Sequence, residues 1–377
     1  MHAMTSADEF DIAIVGGGLV GGAIGYGLVR HGLSVALFDE GDIAYRASRG
    51  NFGLVWVQGK GLGLAPYSNW TQLSARRWPE LAALLYADTG IDVVLEQPGG
   101  FHLCLSEREL AHRVQTLARL IEQPGLERYA FEVLDHAALA ERIPGIGSAV
   151  FGGTYTALDG HVNALKLLRA LHAGILNHGG VYLPNTRIES ARPAGENFDL
   201  QAKNRTFRAR KIVLASGLGN AQLAPQLGLV APVRPQRGQI LVLERVRRFL
   251  HHPIATLRQT DEGTVLVGDS QEEAGFDDSV GMAVLATLAD RAVRTFPTLR
   301  DVRITRTWAA LRVMSPDGFP VYDRSHAYPG AFLTTCHSGV TLAAAHALEL
   351  ALQIAAGELA PRLRPFSGER LNVQKAA

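Results

Sequence analysis

The chain has 377 residues, and at roughly 150 residues per domain that suits about two and a half domains, or one large two-lobed enzyme. Lys plus Arg number 37 against 36 Asp plus Glu, a formal charge of +1, so no strong field exists to hold nucleic acid or an anionic membrane surface. Hydrophobic residues at 47% with 19% charged describe a globular chain, and Cys104 and Cys336 lie too far apart for a CxxC or Cys/His zinc spacing. A reduced, cytoplasmic protein without a metal site or a nucleic-acid partner is therefore expected.

In chain order, the first element is an uncharged stretch from Ile12 to Val29, about long enough to cross a bilayer if wholly helical. Its seven glycines argue for a different reading. Ile12-Ala13-Ile14-Val15 suits a buried parallel strand, Gly16-Gly17-Gly18 breaks it, and a helix then runs to about Arg30 with Gly32 placed to stop it. Met1 to Asp11 carry no basic segment and no cleavage-site pattern, so neither a transmembrane nor a targeting segment is expected.

Gly16, Gly18 and Gly21 make G-x-G-x-x-G between that strand and that helix. Gly16 permits the tight turn, Gly18 lets backbone approach a pyrophosphate, and Gly21 lets the helix sit against the strand. The first-turn amides, around Leu19 and Val20, then face the anion. A second strand, Leu33 to Phe38, ends in Asp39-Glu40, at about the roughly 20-residue spacing expected for a ribose-binding acid. Asp39 is the better candidate and Glu40 the neighbour in reserve; a solvated turn acid is the alternative. Strand, glycines, helix, strand and acid in this order point to an ADP-containing dinucleotide.

An NAD enzyme would continue with regular strand and helix alternation. Here the chain turns irregular and polar at Arg46-Ala47-Ser48-Arg49-Gly50-Asn51-Phe52-Gly53-Leu54-Val55-Trp56. On these residues the sequence resembles the glycine oxidase and D-amino-acid oxidase superfamily of flavoproteins. With the continuation Val55-Trp56-Val57-Gln58-Gly59-Lys60-Gly61 it is similar to the FAD subunits of opine oxidases and of hydrogen cyanide synthase, along nearly the whole chain. The resemblance implies non-covalent FAD wrapped by Ser48, Arg49, Gly50, Asn51, Gly53 and Leu54. It also implies a mixed α/β (α+β) fold, a Rossmann-like FAD-binding domain with an interleaved antiparallel-sheet substrate domain. The FAD-binding parts are expected at 1–80, 145–221 and 328–377, and the substrate domain at 81–144 and 222–327.

Three later motifs follow the family's order. Leu158-Asp159-Gly160-His161-Val162-Asn163 precedes a helix with Leu165, Leu168, Leu171 and Ile175 at helical spacing and Asn163 as N-cap; Asp159 and His161 are either functional or part of a capped core helix. Lys211-Ile212-Val213-Leu214-Ala215-Ser216-Gly217 is a buried strand closing on small residues, and Ser216 and Gly217 resemble the family's second backbone contact with FAD; a strand near Val181-Tyr182-Leu183 would supply adenine contacts. Thr335-Cys336-His337-Ser338-Gly339-Val340-Thr341 opens an Ala-rich helix ending near Gly357, where Ser338, Gly339, Val340 and Thr341 resemble the closing FAD motif. Unpaired amides at such a helix start favour the negative charge of a reduced flavin. His337 is either catalytic or a satisfied structural histidine.

The substrate domain reads as structure for the most part. Ser106-Glu107-Arg108-Glu109 is a capping box opening a helix with Leu110, Val114, Leu117 and Ile121 on one face. Leu241-Val242-Leu243, Thr264-Val265-Leu266-Val267 and Val302-Arg303-Ile304 look like strands, the first entered through Pro235-Gln236-Arg237-Gly238-Gln239. Arg312, in Trp308-Ala309-Ala310-Leu311-Arg312-Val313-Met314, matches the arginine with which amino-acid-oxidising members grip the substrate carboxylate; a salt bridge is the alternative. Some oxidases of the superfamily carry an oxygen-activating lysine where this chain has Leu266, which favours a dehydrogenase passing electrons onward.

The implied chemistry is hydride transfer from a carbon bearing an amino group to flavin N5, leaving an imine that water hydrolyses. The substrate expected is a small or secondary amino acid of opine, hydroxyproline, proline or glycine type. The alternatives are a 2-hydroxy acid or glycerol phosphate as substrate, or a non-catalytic FAD subunit. The resemblance further implies a partner subunit bearing flavin or an iron-sulfur cluster, and through it a peripheral membrane location.

Overall fold

The strand Glu9–Val15 lies between two parallel neighbours, Val35–Phe38 and Arg205–Leu214, in a computed structural model that describes residues 9–41 and 47–371. Residues 1–8 and Arg46 lie outside the described residues. Val181–Leu183 extends the sheet beyond Val35–Phe38, and Ala331–Thr335 extends it beyond Arg205–Leu214, both parallel. These are short aliphatic runs with little polar alternation, as strands buried on both faces must be. One face is covered by the helices Leu19–Arg30, Ala65–Thr89 and Ala164–Asn177 and by a helical segment over 343–356. The other packs Phe38 edge-on against Phe207, with ring centroids 4.8 Å apart, over Leu200 and Leu214. The carboxyl ends of the parallel strands thus share one edge, the place where open α/β sheets bind ligands.

The uncharged stretch from Ile12 is strand, turn and helix, as expected, and among the described residues no helix is long and apolar enough to cross a membrane. The second strand starts at Val35, two residues later than expected, because Gly32 at φ +75° and the Leu33 amide, 3.4 Å from Leu28 O, are used in closing the helix. Asn163 caps its helix as expected, accepting from Lys166 N at 3.1 Å. On that helix Leu168, Leu171 and Ile175 are buried, but Leu165 is 59% exposed and Leu167 takes its place in the core.

An antiparallel sheet in the order Leu257–Gln259, Thr264–Val267, Arg234–Arg245, Ile304–Met314 forms a second lobe, covered by the helix Met282–Thr295. Gly100–Cys104, Gly152–Thr156 and Glu132–Asp135 form a smaller antiparallel sheet packed in the same core. The N-cap forms as expected, Ser106 Oγ accepting from Glu109 N at 3.2 Å, but the return bond of the box is displaced by one residue, Glu109 Oε2 accepting from Leu105 N at 2.9 Å. The strand expected at Val302–Ile304 begins at Ile304 and runs to Met314, so it carries Arg312. Two crossings between lobes differ from 80 and 145. The helix Ala65–Thr89 runs unbroken past residue 80 with Trp78, Leu81 and Leu85 in the first lobe's core, and Gly152–Thr156 pairs within the second lobe.

Candidate active site

The turn after Glu9–Val15 is built for a close approach of backbone. Gly16 has φ +113°, and a Cβ there would lie 2.3 Å from Ala215 O, so the turn rests directly on the end of the neighbouring strand. Gly21 fits its expected role, since a Cβ there would meet Gly16 O at 1.9 Å. Asp39 reaches across to this turn: its Oδ2 accepts from Gly17 N at 2.8 Å and its Oδ1 from Gly41 N at 2.9 Å. Asp39 is therefore a brace for the glycine turn as well as a wall of the cavity beside it. Glu40 stands 3.6 Å from Arg187. From the irregular segment, Ser48 Oγ accepts from Leu19 N at 2.9 Å, satisfying a first-turn amide of the helix.

A cavity of about 720 Å³ opens along this edge. Gly16, Gly18, Leu19, Val20, Asp39 and Glu40 line it together with Ser48, Arg49 and Asn51. Ser216, Gly217, His337 and Gly339 complete its walls, along with Leu311 and Val313 of the second lobe. Sequence reasoning missed His172, a cavity-lining residue whose Nε2 is 2.7 Å from Gly17 O and whose ring stacks on Tyr182 at 4.3 Å. No local pattern marks it, because the contact joins residues 155 apart.

A second cavity of about 330 Å³ shares Ala47, Asn51 and His337 with the first. Gly50, Leu54, Ser338, Val340 and Thr341 line it with Arg312. Thr341 ties two of its walls, its Oγ1 accepting from Trp56 N and donating to Leu54 O, each at 3.1 Å. Gly53 lines neither cavity; its amide donates to Asn51 Oδ1 at 2.7 Å and its carbonyl accepts from Val162 N at 2.9 Å, so it shapes the segment from behind. The closing motif differs from a plain helix start. The turn forms at Ser338, whose carbonyl accepts from Leu342 N at 3.0 Å, but regular helix begins only at Ala343 and passes through a π-turn at His346–Leu350.

Arg312 is part-buried in this cavity, its Nη1 donating to Ser270 O at 2.7 Å. Its guanidinium lies on Gly238 of the adjacent strand, where a Cβ would be 2.4 Å from Nη1, so that glycine is what gives the arginine its seat. Burial lowers the guanidinium's affinity for its proton, and Asp269 and Glu272 oppose that. Lys60 comes in from the loop after Leu54–Val55 and donates from Nζ to His337 Nε2 at 3.1 Å and to Ser338 Oγ at 3.0 Å. Burial brings its pKa down to about 8. His337 is held neutral, its pKa driven well below the usual value first by burial and then by the charges of Lys60 and Arg312. It thus has a partner, and serves as an acceptor rather than a cation.

Leu266, opposite Val242 in the antiparallel sheet, lines neither cavity. The lysine that lines the second cavity, Lys60, comes from a different element. Asp159 and His161 also stand behind the site. Asp159 accepts from Val57 N and from Gln58 Nε2, and burial raises its carboxyl to about 7. His161 Nδ1 is 3.3 Å from Arg258 Nη1.

A glycine turn and a bracing acid at the carboxyl edge of a parallel sheet, continuous with a cationic cavity under an antiparallel sheet, define a dinucleotide-dependent oxidoreductase of two lobes. Over residues 11–353 the sequence matches the family described as FAD dependent oxidoreductase, and the chain belongs to that family. It is 47% identical to an opine oxidase subunit of Agrobacterium tumefaciens (strain Ach5) over 98% of this chain and 99% of that protein. It is 44% identical to the corresponding opine oxidase subunit of Rhizobium meliloti over the same shares. Among solved structures, glycine oxidase from Geobacillus kaustophilus superposes with a TM-score of 0.86 at 26% identity, over 96% of this chain and 98% of that one.

The residues present fit FAD. The cavity's volume suits a ligand of that size, and the turn from Gly16 to Gly18 lines it with backbone alone, so a pyrophosphate can come close to the chain there. The cavity also runs from the bracing acid to a second, cationic cavity, which accommodates an ADP half and a redox half in one ligand.

Proposed function

We propose that this chain oxidises the carbon–nitrogen bond of a small or secondary amino acid, of opine type foremost, in the second cavity. FAD held in the first, by the glycine turn and the walls around Asp39 and Ser48, would supply the acceptor for the hydride of the substrate's α-carbon, and water would hydrolyse the imine left behind to a carbonyl compound. The observation that carries the reading is Arg312, a cavity-lining guanidinium anchored by one edge to Ser270 O. Its remaining N–H groups suit a substrate carboxylate and fix the α-carbon relative to the adjoining cavity. Lys60 gives the same cavity a second cation, which suits the two carboxylates of an N-carboxyalkyl amino acid. Leu54, Trp56 and Ile240 give it apolar walls that limit water. The 47% identity to a protein named as an opine oxidase subunit supports both the substrate class and a partner subunit that receives the electrons. Two cysteines that form no disulfide suit a reducing compartment, so we place the chain in the cytoplasm, reaching a membrane only through that partner.

The test is anaerobic. The purified chain's flavin absorbance is followed while D- and L-amino acids, opines and 2-hydroxy acids are added. Bleaching by an amino acid is expected, and bleaching by hydroxy acids alone would overturn the reading. Arg312→Ala should keep its flavin and raise KM at least about tenfold, the order of a lost charge-assisted contact. Unchanged kinetics would remove Arg312 from the site.

A further inference from the structure

The second cavity contains an acid with no part in the reading above. Asp269 follows the strand Thr264–Val267 after Gly268 and has φ +82°, a backbone region that non-glycine residues seldom occupy and that functional sites often impose. The residue keeps accessible surface and is among those that line the cavity. It is the one carboxylate among the described residues lining that cavity. Arg312 faces it from the strand Ile304–Met314 and is hydrogen-bonded to the carbonyl of Ser270, the very next residue. Lys60, from the loop after Leu54–Val55, lines the cavity with it, and the charge of Arg291, on the helix Met282–Thr295, also acts on it. His102 of Gly100–Cys104 and His337 share the cavity, both held neutral by burial. Gln271, on Asp269's own segment, hydrogen-bonds to it.

This arrangement answers a chemical requirement. An amino acid carries its carboxylate and its nitrogen on one α-carbon, so a guanidinium that grips the first leaves the second close by. At neutral pH the nitrogen is an ammonium, and without its lone pair it cannot form the C=N bond as the α-hydride leaves. Some group must take the proton, and a carboxylate beside the carboxylate-gripping arginine is in the right place to do so.

Resting on the amino-acid reading above, we propose that Asp269 is a catalytic residue that docks the substrate's ammonium and accepts its proton, so that the amine is neutral when its α-hydride departs. One N–H bond breaks and its electron pair stays on nitrogen; one O–H bond forms on the Asp269 carboxyl. The nitrogen lone pair then becomes the second C–N bond as the hydride is removed by the enzyme's own oxidant, and Asp269 returns its proton to solvent after the imine has left. Burial raises the Asp269 carboxyl from the usual range, which makes it a better proton acceptor, and the charges of Arg312, Lys60 and Arg291 oppose that rise.

The test uses the FAD-loaded full chain and Asp269→Asn, chosen because asparagine tolerates a positive φ. Retained flavin absorbance and an unchanged thermal midpoint establish that the variant folds. For the wild type, kcat/KM should be flat near neutrality and fall as pH drops through the Asp269 pKa, because the protonated acid cannot accept. The variant must use the small fraction of neutral amine, so its kcat/KM should be about a hundredfold lower at pH 7 and rise about tenfold per pH unit. A calorimetric readout needs no turnover: 2-aminoisobutyrate has an ammonium but no α-hydrogen, and pivalate has the same shape with a methyl group instead. Wild type should prefer 2-aminoisobutyrate at least about tenfold, and Asp269→Asn should lose that preference. If both bind and the variant keeps both the preference and the wild-type pH profile, the Asp269 assignment is overturned while the amino-acid reading stands. If neither ligand binds the wild type, the amino-acid reading falls and takes this assignment with it.

Discussion

Lys60 shows how much one side chain can change the character of a cavity. Its ammonium is donated to His337 and Ser338, and Tyr67 OH lies 2.9 Å from that same Ser338 oxygen, so the lysine is fixed at the wall. Burial is the main force bringing its pKa to about 8; Arg312 pushes the same way and Asp269 opposes. The sign follows directly: a lysine is charged below its pKa, so the cavity carries two cations at neutral pH and one above about pH 8. A carboxylate ligand such as pivalate should therefore bind more weakly as pH rises through about 8 in the wild type. Lys60→Met should remove that inflection and weaken binding by about tenfold at pH 7, the order of one charge-assisted contact. Calorimetric titrations from pH 6.5 to 9.5, a span of about 1.5 units either side of the pKa that covers most of the change in ionisation, give the answer. An inflection that persists in the variant would assign it to another group.

At the scale of elements, the strand, glycine turn, helix and following acid form one local unit, and this is why the unit is legible in the sequence. Each role there depends on spacing along a few tens of residues: the turn at Gly16, the helix packing at Gly21, and the return of Asp39 to brace Gly17. The side-chain bond that holds the turn is not legible, because spacing marks Asp39 as a ligand and gives no sign of its part as a support. The contrast between two glycines tests the unit. At Gly16 a Cβ would meet backbone, Ala215 O at 2.3 Å, and would also have to adopt φ +113°; neither neighbour can move cheaply. At Gly18 the obstacle is Ser48 Oγ at 2.6 Å, the end of a side chain that can rotate away. Gly16→Ala should lower stability by roughly 2–3 kcal/mol and purify without flavin, while Gly18→Ala should cost under about 1 kcal/mol and bind FAD more weakly. Denaturant midpoints and the flavin-to-protein absorbance ratio measure both. Equal losses would mean that the turn does not rest on Ala215.

Across the whole molecule, the candidate chemistry comes from residues that only the tertiary fold assembles. Lys60, Asp269, Arg312 and His337 sit on four separate segments; Lys60, Arg312 and His337 fall in stretches that resemble a family's, but of these the resemblance gives a role to Arg312 and a candidate role to His337 alone. Lys60 and Asp269 carry no periodic or spacing signal, since a lone lysine in a glycine-rich loop and a lone acid after a strand are ordinary sequence. The same distribution has a thermodynamic consequence. The larger cavity takes walls from Gly16 and Asp39 in the first lobe and from Leu311 and Val313 in the second, so one ligand touching all of them couples the lobes. A ligand bound only by the native state stabilises it by RT ln(1 + [L]/Kd), about 2.7 kcal/mol at a hundredfold excess over Kd, or roughly 3–4 °C in Tm for a chain of this length. FAD should raise the thermal midpoint of the apoprotein by that amount and slow amide exchange both in the segment 47–54 and in the strand Ile304–Met314. ADP can occupy the glycine turn and the Asp39 side but carries no flavin ring, so it should protect residues around the turn and leave Ile304–Met314 exchanging as in the apoprotein. Protection of that strand by ADP as strong as by FAD would show that the lobes are coupled through the turn itself and not through the cofactor's far half.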